Sequence, residues 1–147
     1  MLYFATMSPG TFHNQVIWIT GASSGVGEGL AVAFAEAGAR VVLSARRADE
    51  LERVRGRMTA GDHVVLPMDV TDYPALPGKV ALVNDRMGRI DLLICNAGIS
   101  QRSRFAETTL DVFRTIIEVD VMGPAAHIHA VLPVMRAQGS GHVVVTS

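Results

Sequence analysis

The chain of 147 residues has one cysteine, Cys95, and one lysine, Lys79. A lone thiol excludes an internal disulfide and favours a reducing, cytoplasmic setting. It also leaves few soft metal ligands. His127 and His129 stand two apart in a helical stretch, which turns them to different faces, so no zinc site is expected. Cys95 ends an apolar run and reads as a small buried hydrophobe rather than a reactive thiol. Net charge is only -1, too small a bias to draw nucleic acid or an anionic membrane. No run of about 18 apolar residues exists, which removes a transmembrane helix. The opening MLYFATMSPGTFHN has neither a basic n-region nor a long h-region; residues 1–14 are expected to be a loose leader, not a signal peptide. No Gly-Lys-Ser/Thr occurs, so a P-loop is excluded.

Apolar residues make up 49% of the chain and charged residues 18%, which suits one globular domain with buried strands, expected over 15–147. QVIWIT, RVVLSA, HVVLPMDV, IDLLICNAG and HVVVTS are short, β-branched, apolar runs, the pattern of strands buried on both faces. Helix-period segments separate them: one from Val26 with Leu30, Ala33, Phe34 and Ala37 on its apolar side, one beginning near Asp49, one from about Lys79 to Met87, and a long one from Thr108 to Met135. Pro124 lies inside the last and predicts a kink or break near Gly123. Alternation of strand and helix implies parallel βαβ units, hence an α/β, doubly wound, Rossmann-like open sheet with helices on both faces, carried to about its fifth strand.

The glycine turn TGASSGVGEG follows the first strand and opens the first helix. Glycine permits a sharp turn and close approach of backbone to a pyrophosphate, and the helix behind it offers free N–H groups and the positive end of its dipole. Position between a buried strand and a helix lifts this turn above a chance cluster of glycines. At the end of the second strand, where an acidic residue would take the ribose hydroxyls of NAD, stand Ala45, Arg46 and Arg47. A guanidinium there suits a 2′-phosphate, against the plainer reading of two solvated arginines.

In these motifs the chain resembles the short-chain dehydrogenases/reductases. Their T-G-x-x-x-G-x-G motif is matched by Thr20, Gly21, Gly25 and Gly27, and SARR, MDV and NAG follow in the family's order. GISQRS and the DVFR and IE of the next helix look like the animal dehydrogenase/reductase member 7 group and its bacterial relatives. The resemblance covers about Phe12 to the last residue. It implies an NADP(H)-binding domain, NADP(H) being preferred over NAD(H), with Thr20, Gly21, Ser23, Ser24, Gly25, Val26 and Gly27 around the phosphates and Arg46 and Arg47 on the 2′-phosphate. Asp69 and Val70 would meet the adenine, and Asn96, Ala97 and Gly98 the adenosine ribose. It further implies a small alcohol or ketone substrate and a homo-oligomer for a full-length form.

The same resemblance points to chemistry these residues do not supply. The family's proton-exchanging tyrosine has a lysine four residues on, and its ammonium makes a phenol useful near neutrality. The two tyrosines, Tyr3 and Tyr73, have Met7 and Pro77 at that spacing. On the strand alignment the substrate-binding serine would follow Ser147, which is not itself that serine. Asp120 stands where the family has an asparagine and lacks the amide donor. Turnover by these 147 residues alone is therefore not expected; a nucleotide-binding sensor, or a partner of a full-length relative, is the competing reading.

Overall fold

A computed structural model describes residues 10–146. Five parallel strands form one sheet in the order β3-β2-β1-β4-β5, with β1 Val16–Thr20, β2 Arg40–Ser44, β3 Val64–Val65, β4 Leu92–Cys95 and β5 His142–Val145. Parallel neighbours require crossovers, which are supplied by α1 Gly25–Glu36, α2 Ala48–Arg55, α3 Leu76–Met87 and a final pair, α4 Leu110–Ile117 and α5 Gly123–Gln138. Alternation along β1 divides the core in two. Val16 and Trp18 enter one apolar cluster with Val80 and Val83 of α3 and Val131 and Met135 of α5, while Ile17 and Ile19 enter the other with Ala31 and Phe34 of α1 and Leu51 and Val54 of α2. This is the doubly wound fold expected of the sequence. Strand order reverses between β1 and its neighbours β2 and β4, which opens a crevice beyond the carboxyl ends of the strands.

Three boundaries differ from expectation. The third strand was expected over His63–Val70 but is Val64–Val65. Its extended course continues, since the N–H groups of Leu66 and Met68 donate to Leu43 O at 2.9 Å and Ala45 O at 3.0 Å. Pro67 falls between them with its nitrogen turned to the open edge, where a missing donor costs least. The third helix begins at Leu76 rather than Lys79, because Pro77 sits in its first turn, where proline is pre-set for helix. The break expected near Gly123 takes the form of a π-helical stretch, Glu118–Met122, in which Gly123 N–H donates to Glu118 O five residues back.

A second proline, Pro133, lies inside α5, which continues through it. That proline removes the helical donor for the His129 carbonyl; His129 is exposed, so water can satisfy it. Of the leader expected over 1–14, only 10–14 are described. They form a turn in which Phe12 N–H donates to Ala37 O at 3.1 Å and the Phe12 ring stands edge-on to Phe34, centroids 5.0 Å apart.

Candidate functional site

The crevice at the carboxyl ends of the strands holds a cleft of about 770 Å³. Its floor is the glycine turn. Gly21 has φ +68° and Gly25 φ +58°, left-handed conformations that cost a side-chain-bearing residue about 1–2 kcal/mol. At Gly27 the demand is space. A Cβ there would lie 2.2 Å from Gly21 O and 2.6 Å from Asn96 Nδ2, and one at Gly21 would lie 2.7 Å from Ala97 Cα. The turn and the end of β4 are thus packed backbone to backbone.

Thr20 joins the two. Its Oγ1 accepts from the N–H groups of Asn96 at 3.0 Å and Ala97 at 3.1 Å and donates to Ile94 O at 3.4 Å. Asn96 returns the link, with Nδ2 donating to Thr20 O and Gly21 O, both at 3.3 Å. Thr20 is 2% exposed, so it braces the site without facing the cleft. Gly27 is likewise buried and Gly25 is exposed, and neither lines the cleft; Gly21, Ser23, Ser24 and Val26 form the wall itself. Ser24 immediately precedes α1 in extended backbone, and its hydroxyl makes no capping bond to the helix. The first N–H groups of α1 are therefore left for another acceptor.

Arg46 and Arg47, between β2 and α2, line the cleft on one flank of the turn with Asp69 and Val70 after β3, and Asn96, Ala97 and Gly98 after β4 line it on the other. Among the described residues neither arginine takes part in an ion pair. Asp69 closes an Asx turn: its Oδ1 accepts from Thr71 N–H at 2.9 Å and Thr71 Oγ1 at 2.8 Å. Those bonds, with a smaller contribution from the Arg46 charge, outweigh desolvation and hold its carboxyl below the usual range. Asp69 is thus both the turn former that its position in sequence suggests and a carboxylate on the cleft.

Asp120 lies in the π-helical stretch, and its Oδ1 accepts from Ile99 N–H at 2.9 Å. It anchors the segment that follows β4 rather than lining the cleft. The sequence reading missed the third wall, where Thr115, Glu118 and Val119 face the cleft from α4 and the π-helical stretch. Only their helical phase relative to Asp120 could have signalled it. Tyr73 Oη donates to Glu118 Oε2 at 2.5 Å, and this bond pushes the phenol up to about 12. A phenol working near neutrality needs the opposite shift.

Cys95 is 2% exposed and burial raises its thiol to about 11. His127 is buried, with Nδ1 2.8 Å from Gly123 O, whereas His129 is exposed. Among the described residues no group of three or more His, Cys, Asp or Glu is placed to hold a metal, and no helix is long and apolar enough to cross a membrane.

A cleft at the switch point of a parallel sheet, floored by a strand-turn-helix glycine motif, defines a dinucleotide-binding α/β domain. The model of the short chain dehydrogenase family matches residues 15–147, and the chain belongs to that family. It is 42% identical over 137 residues to dehydrogenase/reductase SDR family member 7 of Homo sapiens, spanning 89% of this chain and 40% of that protein. A short-chain dehydrogenase crystal structure from Streptomyces avermitilis superposes with a TM-score of 0.83 at 40% identity, over 89% of this chain and 48% of that one. An alcohol dehydrogenase from the archaeon Thermococcus sibiricus, complexed with 5-hydroxy-NADP, superposes with a TM-score of 0.81 at 30% identity, over 89% and 57%. The chain therefore spans about half the length of the relatives it matches. The family binds nicotinamide cofactors, and the residues present fit one: a floor that admits no Cβ at Gly27, an uncapped helix start and a cationic rim.

Proposed function

We propose that this chain is the NADP(H)-holding part of a cytoplasmic short-chain oxidoreductase acting on an alcohol or carbonyl compound. The observation that carries the reading is the Arg46–Arg47 pair on the cleft rim at the end of β2, in the absence of an acidic residue there. In this reading the N–H groups at the start of α1 and the backbone of Gly21 to Val26 receive the pyrophosphate, Arg46 pairs with the 2′-phosphate and Arg47 assists. Asp69 and Val70 border the adenine, while Asn96, Ala97 and Gly98 meet the adenosine ribose. The bound nicotinamide would supply or accept the hydride. Thr20 and Asn96 keep the floor rigid through two hydrogen bonds to each other and one each to Ala97 and Gly21.

Titration of NADPH and NADH into the wild type and Arg46→Ala tests this. A charge-assisted contact of about 1.5–3 kcal/mol gives roughly a tenfold or larger preference for NADPH, which Arg46→Ala should abolish. Equal wild-type affinities refute the reading.

A second reading, a nucleotide-binding sensor or partner without turnover, draws on Tyr73, whose proton is held by Glu118 and which has Pro77 in place of a lysine four residues on. NADPH-dependent reduction of ketones or aldehydes by these 147 residues, abolished by Gly25→Asp, would exclude it.

A further inference from the structure

We infer that Arg53, outside the cleft, is a positioning residue for the 2′-phosphate subsite; the inference rests on the NADP(H) reading above. Arg53 lies in the second half of α2 and its guanidinium spans three segments. Nη2 donates to the carbonyl oxygen of Ser23 in the glycine turn at 3.1 Å and to Glu28 Oε2 at 2.9 Å. Nη1 donates to Glu28 Oε1 at 3.0 Å, and Nε to Glu50 Oε2 at 2.8 Å. The glycine turn, the first turn of α1 and the first turn of α2 are thereby joined through one planar group, a task that suits the guanidinium fork and not a lysine.

The geometry matters because of what each end of the clamp carries. Ser23 is part of the cleft wall beside Ser24, and α2 begins at Ala48, directly after Arg46 and Arg47 on the adjoining wall. Packing of Leu51 and Val54 holds α2 on the sheet. Arg53 links it sideways to the turn, and so sets the separation between the two walls that a 2′-phosphate must bridge.

Charge is managed by the same contact. Glu28 stands in the first turn of α1, beside the anion-receiving end of the helix, and the hydrogen bond from Arg53 is foremost in holding its carboxyl below the usual range. Arg57 Nη1 also pairs with Glu28. Two cations therefore offset a carboxylate that would otherwise oppose the phosphates.

The test measures NADPH and NADH affinities for this chain as wild type, Arg53→Met, Arg53→Lys and the double variant Glu28→Gln/Arg53→Met, with a thermal melt of each. Arg53→Met should weaken NADPH about tenfold and NADH less than threefold, narrowing the ratio. Because the double variant removes both charges, the same narrowing there assigns the effect to placement of the walls. Arg53→Lys, which keeps a cation by Glu28 but loses the fork, should melt near wild type and still narrow the ratio. It serves as the test variant if Arg53→Met does not fold. A wild type that prefers NADPH, combined with equal weakening of both cofactors or no weakening in the variants, overturns the role of Arg53 alone. A wild type without that preference overturns the Arg46 reading and this one together.

Discussion

All five residues of β1 are buried, as are four of the five in β2, whereas three of the four in β5 are exposed and α4 buries none. The apolar content of the two regions is similar; their surroundings are not. β1 and β2 have helices on both faces and strands on both sides, while among the described residues β5 pairs only with β4 and leaves Val144 45% and Val145 47% exposed. Parallel strands are ordinarily covered on both faces. The β1–β2 end of the molecule, which carries the glycine turn, is thus a fully covered core, and the α4–β5 end displays apolar surface at Phe105, Leu110, Ile117 and Val121. The largest effects of substitution should divide along this line.

Trp18 is the most demanding position. It is fully buried, its Nε1 donates to Ser44 Oγ at 2.9 Å and its ring stands edge-on to His127, centroids 6.2 Å apart. Trp18→Ala should cost about 3–5 kcal/mol, close to the whole stability of a small domain, whereas Ile117→Ala on α4 should cost about 0.5 kcal/mol or less. Urea melts of the pair provide the measurement. Comparable shifts in midpoint would show that α4 is as much part of the core as β1.

Within the covered β1–β2 half, two glycines separate space from strain. Gly27→Ala forces a Cβ against the Gly21 carbonyl and should destabilise by about 1–3 kcal/mol while abolishing cofactor binding. Gly25→Ala meets nothing within 4 Å, so its cost is the φ of +58° alone, about 1–2 kcal/mol, and cofactor affinity should survive in part. Calorimetry with NADPH on both variants distinguishes them, and equal loss of binding would mean that the turn tolerates neither.

How far such contrasts can be read from sequence depends on whether the signal is local. The strand-turn-helix of residues 15–36 is legible because hydrophobic period, glycine spacing and helix start fall within one short segment. The same holds for Arg46 and Arg47, whose place follows from the end of β2. Thr115 and Glu118 were not legible, since they reach the cleft only because a π-helical stretch rephases the chain before Pro124. Arg53 was hidden for another reason. Its partners Glu28 and Ser23 are 25 and 30 residues away, and a run of arginines and glutamates on a helix ordinarily reads as a solvated face.

A titratable group sharpens the comparison at the boundary of the two regions. His127 of α5 packs on Trp18, and its Nε2 has no hydrogen-bond partner among the described residues. Burial pushes its pKa below the ordinary 6.5. The unfolded chain then binds a proton that the folded one resists, so this contribution to stability is complete above about pH 6.5 and is lost as pH falls toward the folded-state pKa. The slope is at most about 1.4 kcal/mol per pH unit. Chemical melts between pH 7.5 and 5 should show this component in wild type and not in His127→Leu. An unchanged difference between the two proteins across that range would mean that His127 protonates in place.

The smallest effect on the fold is expected at the α4–β5 end, where the expected consequence is association. Val145 lies on the outermost strand and is half exposed, so Val145→Lys removes little packing and should change the stability of the monomer by about 0.5 kcal/mol or less. Its effect on self-association should be larger. An apolar parallel strand with one free edge offers unpaired backbone groups beside exposed valines, a template for pairing with another chain, and a lysine on an edge is a common way to block such pairing. Sedimentation of these 147 residues at rising concentration should show oligomers that Val145→Lys reduces, with the unfolding midpoint little changed. If the wild type sediments as a compact monomer with a cooperative melt, the two regions differ in burial without differing in behaviour. The apolar residues of α4 and β5 would then be an ordinary surface.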